Sequence, residues 1–169
     1  MYTQQEIEQI LQHLLVIPAE TEIVEFKQAK NTFSDNDSGE YFSALSNEAN
    51  LKGQSYGWLA FGIDDQTHSL VNTQYKASRP ALDEMKKKTG DLTTNRITFK
   101  EIYAFEYKGK RVVMFQIPAA PAGIPVAYKG HYYGRDGESL GALNIVEIEQ
   151  IRTHKLWLSA SANIGRDSK

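Results

Sequence analysis

Cysteine is absent from the 169-residue sequence. That absence removes disulfides, thiolate-bound zinc and cysteine nucleophiles together, and it fits a cytoplasmic protein. Long apolar runs are missing as well: no stretch approaches the ~20 apolar residues that a membrane-spanning helix needs. The first fifteen residues carry Glu6 and Glu8 on an amphipathic pattern, so we expect no secretory signal there. No GxxxxGK[ST] phosphate loop and no GxSxG nucleophile elbow occur. His13, His68, His131 and His154 are scattered without ligand spacing. A large excess of either charge is also lacking. The formal net charge of −2 argues against a strongly basic binder.

What is present describes a soluble globular chain. Hydrophobic residues make up 41% and charged residues 24%, enough for a core and a solvated surface. The length fits one domain, placed at 1–158, with the small polar segment 159–169 as a tail or the start of a linker. Charge is unevenly spread. Residues 1–65 hold 11 acids and 3 bases, whereas residues 66–169 hold 10 acids and 16 bases. This is either chance surface patterning or a pair of functional surfaces, one acidic and one basic, of the kind that points to a phosphate-bearing partner.

Local signals order the elements. Thr3 and Glu6 are spaced as a capping box, followed by Ile7, Ile10, Leu11 and Leu14 at helical spacing. Glu22 to Phe26 reads as a short strand. A polar loop follows from Asn31 to Gly39. Asp37 and Glu40 suit a second capping box, ahead of the apolar stripe Phe42, Leu45 and Ala49. Trp58 to Ile63 is a nearly continuous apolar run, which predicts a strand buried on both faces. Ser78 and Pro80 open a third helix that stops near Gly90. Hairpins are expected at Lys108–Gly109, between Ile97–Tyr107 and Val112–Ile117, and at Lys129–Gly130, between Val126–Tyr128 and Tyr132–Tyr133. Asn144 and Glu147 open a last helix. The fold class is therefore α+β: a single domain with a mixed, mostly antiparallel sheet, hairpins and about four helices.

Two constellations carry candidate chemistry. Glu20, Glu22 and Glu25 crowd the first strand, and Asp64 and Asp65 end the apolar one. Carboxylates from neighbouring strands suit Mg²⁺ or Mn²⁺ and metal-assisted phosphodiester cleavage. They equally suit a solvated strand end with Asp64–Asp65 as turn formers. The run Tyr132–Tyr133–Gly134–Arg135–Asp136–Gly137–Glu138–Ser139 offers aromatics for base stacking and an arginine for phosphate. It also reads as a plain hairpin strand with half-buried tyrosines. Lys86–Lys87–Lys88 adds a basic run that suits a solvated helix face.

Several strings then resemble one family. Glu25–Phe26–Lys27, Ser43–Ala44–Leu45–Ser46–Asn47–Glu48–Ala49–Asn50 and Gly57–Trp58–Leu59–Ala60–Phe61–Gly62–Ile63–Asp64–Asp65 look like the Schlafen/AlbA-like DNA-binding domain family. Ile124–Pro125–Val126 and Tyr132 to Ser139 are similar to its C-terminal motif. The resemblance runs from about Glu20 to Arg152. It implies an α+β fold with a mixed sheet and a DNA- or RNA-binding module. In bacteria that module is an N-terminal part of transcriptional regulators or ATPase-like proteins, so a downstream domain is expected. In the animal Schlafen branch it implies a metal-assisted endoribonuclease with three carboxylates, which map to Glu20, Glu25 and Asp65, with Asp64 as the alternative. The stretch after Asn50 is longer than the family's usual glycine pair, which leaves the register at Asp65 open, and the animal branch's cysteine zinc site has no counterpart here.

The leading expectation is a nucleic-acid-binding module in which Arg135 and Tyr133, with Lys27, Lys87, Lys110, Arg111 and Ser139, contact the nucleic acid. A divalent-metal-dependent ribonuclease using Glu20, Glu25 and Asp65, with Asp64 as a further metal ligand, is the second expectation. A non-catalytic protein-interaction module is the third. DNA or RNA is the expected partner, and a homodimer is left open.

Overall fold

The computed structural model describes residues 1–17, 23–137 and 139–153. Helix α1 (Gln4–Val16) begins with the expected capping box: the Thr3 hydroxyl accepts the Glu6 N–H, and the Glu6 carboxylate accepts the Thr3 N–H. Strand β1 (Val24–Lys27) leads into helix α2 (Asp35–Leu51), which starts earlier than the sequence suggests. Its cap is Ser34, whose Oγ accepts the Asp37 N–H at 3.2 Å, so Asp37 falls in the first turn. Phe33, immediately ahead, packs its ring 4.8 Å from Phe61 and fixes where the chain enters the helix.

Strand β2 (Tyr56–Phe61) is followed by helix α3 (Arg79–Gly90), with Ser78 as cap and Pro80 in the first turn. A 3-10 turn at Thr94–Arg96 places Asn95 and Arg96 at positive φ. It delays strand β3 to Glu101–Tyr107, later than the Ile97 start expected from sequence. Strands β4 (Lys110–Pro118), β5 (Ala127–Tyr128) and β6 (His131–Asp136) make both expected hairpins. A further strand, β7 (Ser139–Ala142), pairs back on β6 and was not anticipated. Helix α4 occupies residues 145–153. The 159–169 tail lies outside the described residues.

Four strands form the main sheet in the order β1-β2-β4-β3, with β1 and β2 parallel and the other pairs antiparallel. Strands β5, β6 and β7 form a smaller antiparallel sheet. The apolar run at Trp58 is therefore a central strand. Alternation along it sends Trp58 and Ala60 to the face covered by α1, and Leu59 and Phe61 to the face covered by α2 and α3. Both faces are buried, which is why the run is continuous rather than alternating.

The smaller sheet lies against the other side of α2. A Cβ at Gly39 would stand 2.1 Å from the Tyr128 ring, so only glycine lets β5 approach the helix. Gly62, at φ +91 and 2.7 Å from the Arg111 carbonyl at its would-be Cβ, turns the chain out of β2 toward Asp64. Among the described residues no helix is long and apolar enough to cross a membrane.

Candidate functional site

The α2 motif is a structural clamp. Asn47 lies in the buried interior, where its amide donates to the carbonyls of Val126 and Tyr133, each at 2.9 Å, and accepts the Val126 N–H at 2.8 Å. Ser43 donates to the Val126 carbonyl at 2.7 Å and accepts the Tyr133 N–H at 3.0 Å. Ser46 and Asn50 donate to the carbonyls of Pro118 and Ala120. Residues 43, 46/47 and 50 fall on one helix face. That face binds the backbone of β6 and of the segment 118–126, which would otherwise bury unpaired polar groups.

Beside the clamp runs a chain of charges. The Arg135 side chain is 1% exposed and its Nη2 lies 2.8 Å from Glu25 Oε2, itself on a side chain 8% exposed. Nη1 of the same guanidinium donates to the Val24 carbonyl at 2.6 Å, and the Arg135 backbone N–H donates to Glu48 Oε1 at 3.0 Å. Glu48 Oε2 meets Lys52 Nζ at 3.3 Å. The second Glu25 oxygen is 3.3 Å from Lys27 Nζ, and that ammonium stands 5.1 Å above the centre of the Tyr41 ring. Burial pushes the Glu25 carboxyl above its ordinary value; Arg135 and Lys27 pull it back without cancelling the rise, and the charge of nearby Asp65 adds to it. For Lys27, burial works downward, but Tyr41 and Glu25 outweigh it and the ammonium is held above its usual range.

Placement of the other candidates follows. Asp64 closes a loop: Oδ1 accepts the N–H groups of Gln66 and Thr67, and Oδ2 accepts the Gln28 amide at 2.6 Å. The Thr67 and Gln66 N–H groups lead in holding its carboxyl down to about 2. Asp65 is exposed beside it. Glu20 lies outside the described residues, as does Glu22. Among the described residues no three His, Asp or Glu side chains gather to hold a metal ion. Both Glu25 oxygens face cations, both Asp64 oxygens accept hydrogen bonds, and Asp65 is exposed to solvent.

Arg111 spends its guanidinium on the carbonyls of Thr73, Tyr75 and Lys76. Tyr133 is half-buried, with its ring 6.4 Å from His131. Lys87, Lys110 and Ser139 are exposed. Arg135 holds Glu25 and the β1 backbone from inside rather than presenting its guanidinium to solvent.

A surface that the sequence did not reveal lies at the start of α2. Lys88 Nζ of α3 is 3.2 Å from Asp35, and Lys76 Nζ, from the loop after β2, is 4.0 Å from the same carboxylate. Lys129, in the β5–β6 turn, donates to Asn36 Oδ1 at 2.8 Å and stands over the Tyr128 ring at 5.5 Å. Lys27 over Tyr41 continues the surface one turn further along the helix. Four ammonium groups from four segments thus converge on the first half of one helix, three of them over tyrosine rings.

The family model for Schlafen, AlbA_2 matches residues 20–144. The chain belongs to this family. As a Schlafen, AlbA_2 domain it shares its fold with the DIP2311 protein of Corynebacterium diphtheriae at a TM-score of 0.56 and 16% identity, over 89% of this chain. The match spans only 28% of the corynebacterial chain. A second similar structure is the N-terminal domain of a RecG-related protein from Nitrosomonas europaea, with TM-score 0.51 and 18% identity, covering 80% of this chain and 89% of that one. No curated protein matches the sequence.

Proposed function

We propose that this Schlafen, AlbA_2 domain binds nucleic acid through the lysine- and tyrosine-bearing surface around the first half of α2. The convergence of Lys27, Lys76, Lys88 and Lys129 on that helix carries the reading. Exposed ion pairs such as Lys88–Asp35 contribute only about 0–1 kcal/mol, so a phosphate can take these ammonium groups over at little loss. Tyr41, half-buried, lies beneath Lys27 and sets a ring face beside the charge, the mix that strand-binding proteins use. The family supports the reading. So does the Nitrosomonas protein, named as related to the ATP-dependent DNA helicase RecG and matched over its N-terminal domain. The finer role is the N-terminal, nucleic-acid-facing module of a longer bacterial regulator.

The test is fluorescence anisotropy of labelled single-stranded RNA and duplex DNA at two salt concentrations, wild type against a Lys76→Ala, Lys88→Ala, Lys129→Ala triple variant. Each lost duplex phosphate contact lowers the salt slope by about 0.9, so the triple variant should lose about 2.7 from the slope and about 40-fold in salt sensitivity between 50 and 200 mM. Absent or salt-independent binding by the wild type refutes the reading.

The proximity of Asp65 to Glu25 favours a second reading, a divalent-metal-dependent endoribonuclease with Glu20 as the third carboxylate. Structured RNA incubated with Mn²⁺ and either wild type or Glu25→Gln decides it: cleavage by wild type alone supports the nuclease, and equal or absent cleavage removes it.

A further inference from the structure

The reverse face of the main sheet carries a cavity, remote from the lysine surface. It measures about 570 Å³ and opens between α1 and the start of β2. Binding cavities for small molecules range over roughly 300–1,000 Å³ and combine an apolar floor with few polar groups. Ile10, Leu14 and Trp58 give this one its floor, and Tyr2 and Tyr56 its aromatic walls. The Tyr2 ring sits 6.3 Å from Trp58 and 6.0 Å from Tyr103, so three aromatic side chains stand side by side. The Tyr103 hydroxyl accepts the Tyr2 N–H at 2.9 Å, which fixes the N-terminal ring in place.

Among the described residues one carboxylate lines the cavity, Glu6, and the other ionisable groups along its wall are His13 and the tyrosine hydroxyls. Glu6 Oε1 accepts the Thr3 N–H at 3.0 Å, and its two Thr3 contacts hold the carboxyl below its usual value, so it stays ionised. Ring faces offer negative potential to a cation, and a carboxylate at the rim adds charge. Anions and apolar acids gain nothing from that combination.

We infer that this cavity is a binding site for a small organic cation, an alkylated ammonium group enclosed by Tyr2, Tyr56 and Trp58 with Glu6 as its counter-charge. The chemistry admits two sources, a free ammonium compound or a lysine side chain of a peptide. The inference is independent of nucleic-acid binding, because the sheet separates the two surfaces.

Trp58 reports on the cavity once Trp157, the other tryptophan, is replaced by phenylalanine. Titration with choline should change Trp58 fluorescence to saturation, and the uncharged carbon isostere of choline should not. A blocked tripeptide with a central lysine is the second arm; saturation by it rather than by choline assigns the peptide source. Glu6→Gln keeps the capping-box acceptor while removing the charge, so helix α1 should stay folded and affinity should fall about tenfold. Tyr56→Leu, a half-exposed position on β2, should weaken binding similarly. Equal binding of the neutral isostere, unchanged affinity in Glu6→Gln with intact circular dichroism, or no response to either cation overturns the proposal.

Discussion

Replacing Arg135 with alanine is expected to destabilise the fold strongly while leaving nucleic-acid affinity of the folded protein unchanged. The guanidinium is 1% exposed and Glu25 8% exposed, so the substitution leaves a buried carboxylate with Lys27 as its remaining cation. Removing one partner of a buried pair costs about 3–5 kcal/mol. In a domain of this size that corresponds to roughly 6–20 °C in melting temperature.

The loss should depend on pH in a defined direction. Glu25 already sits above its ordinary value of 4.5 because burial outweighs its cations. Its folded form therefore holds a proton more tightly than the unfolded chain. The resulting stability is present in acid and is lost as pH rises through the folded value. Without Arg135 the upward push grows, and the window extends further toward neutrality. Urea unfolding should show a smaller penalty for Arg135→Ala at pH 5 than at pH 8. A double variant with Glu25→Gln should lose less than the sum of the two single variants, because the two groups are in contact. Arg135→Lys should not rescue, since one ammonium cannot serve both Glu25 and the Val24 carbonyl as the guanidinium fork does. An additive double variant, or equal losses at both pH values, refutes this account of the pair.

Three further outcomes are expected. Asp35→Asn should tighten binding to duplex DNA severalfold at low salt, by freeing Lys76 and Lys88 from their acidic partner; unchanged anisotropy titrations would place the phosphates elsewhere. Asn47→Ala strands the Val126 N–H and weakens the satisfaction of two carbonyls, so chemical denaturation should show a loss of about 3 kcal/mol or more. Asp64, held from 3.8 down to about 2, contributes stability above pH 3.8 that is lost as pH falls toward 2, so Asp64→Asn should be less stable at neutral pH and flatter in acid titration by circular dichroism.

The elements legible in the sequence were those with local signals. The Thr3–Glu6 box, the apolar run of β2 and the two Lys–Gly turns each act over a few residues, and Lys108, Gly109, Lys129 and Gly130 all adopt the positive φ that such turns need. Strand β7 escaped because Gly134, Gly137 and Gly141 punctuate the β6–β7 hairpin, and its pairing with β6 depends on the turn at Gly137. The site was less legible, because its geometry is set by partners far away in sequence. Arg135 looks like a surface phosphate ligand until β6 is laid across α2, which brings it to Glu25, 110 residues earlier in the chain. Ser43 and Asn47 interrupt an apolar helix face at helical spacing. That interruption was the available signal that a backbone segment, not a hydrophobic surface, lies against it.

The uneven charge along the chain takes on a different meaning in the fold. Acids concentrated in residues 1–65 meet bases from residues 66–169 across the domain: Glu25 with Arg135, and Asp35 with both Lys76 and Lys88. Part of the split is therefore taken up inside the fold, in an intramolecular pairing that operates at two depths. At the buried pair the dielectric is low and breaking the contact is costly, so Glu25–Arg135 fixes β1 against β6. At the exposed pair water screens the charges, so Asp35 gathers Lys76 and Lys88 without committing them. The same pairing of early acids with late bases thus builds the scaffold where it is dry and leaves an exchangeable cation cluster where it is wet.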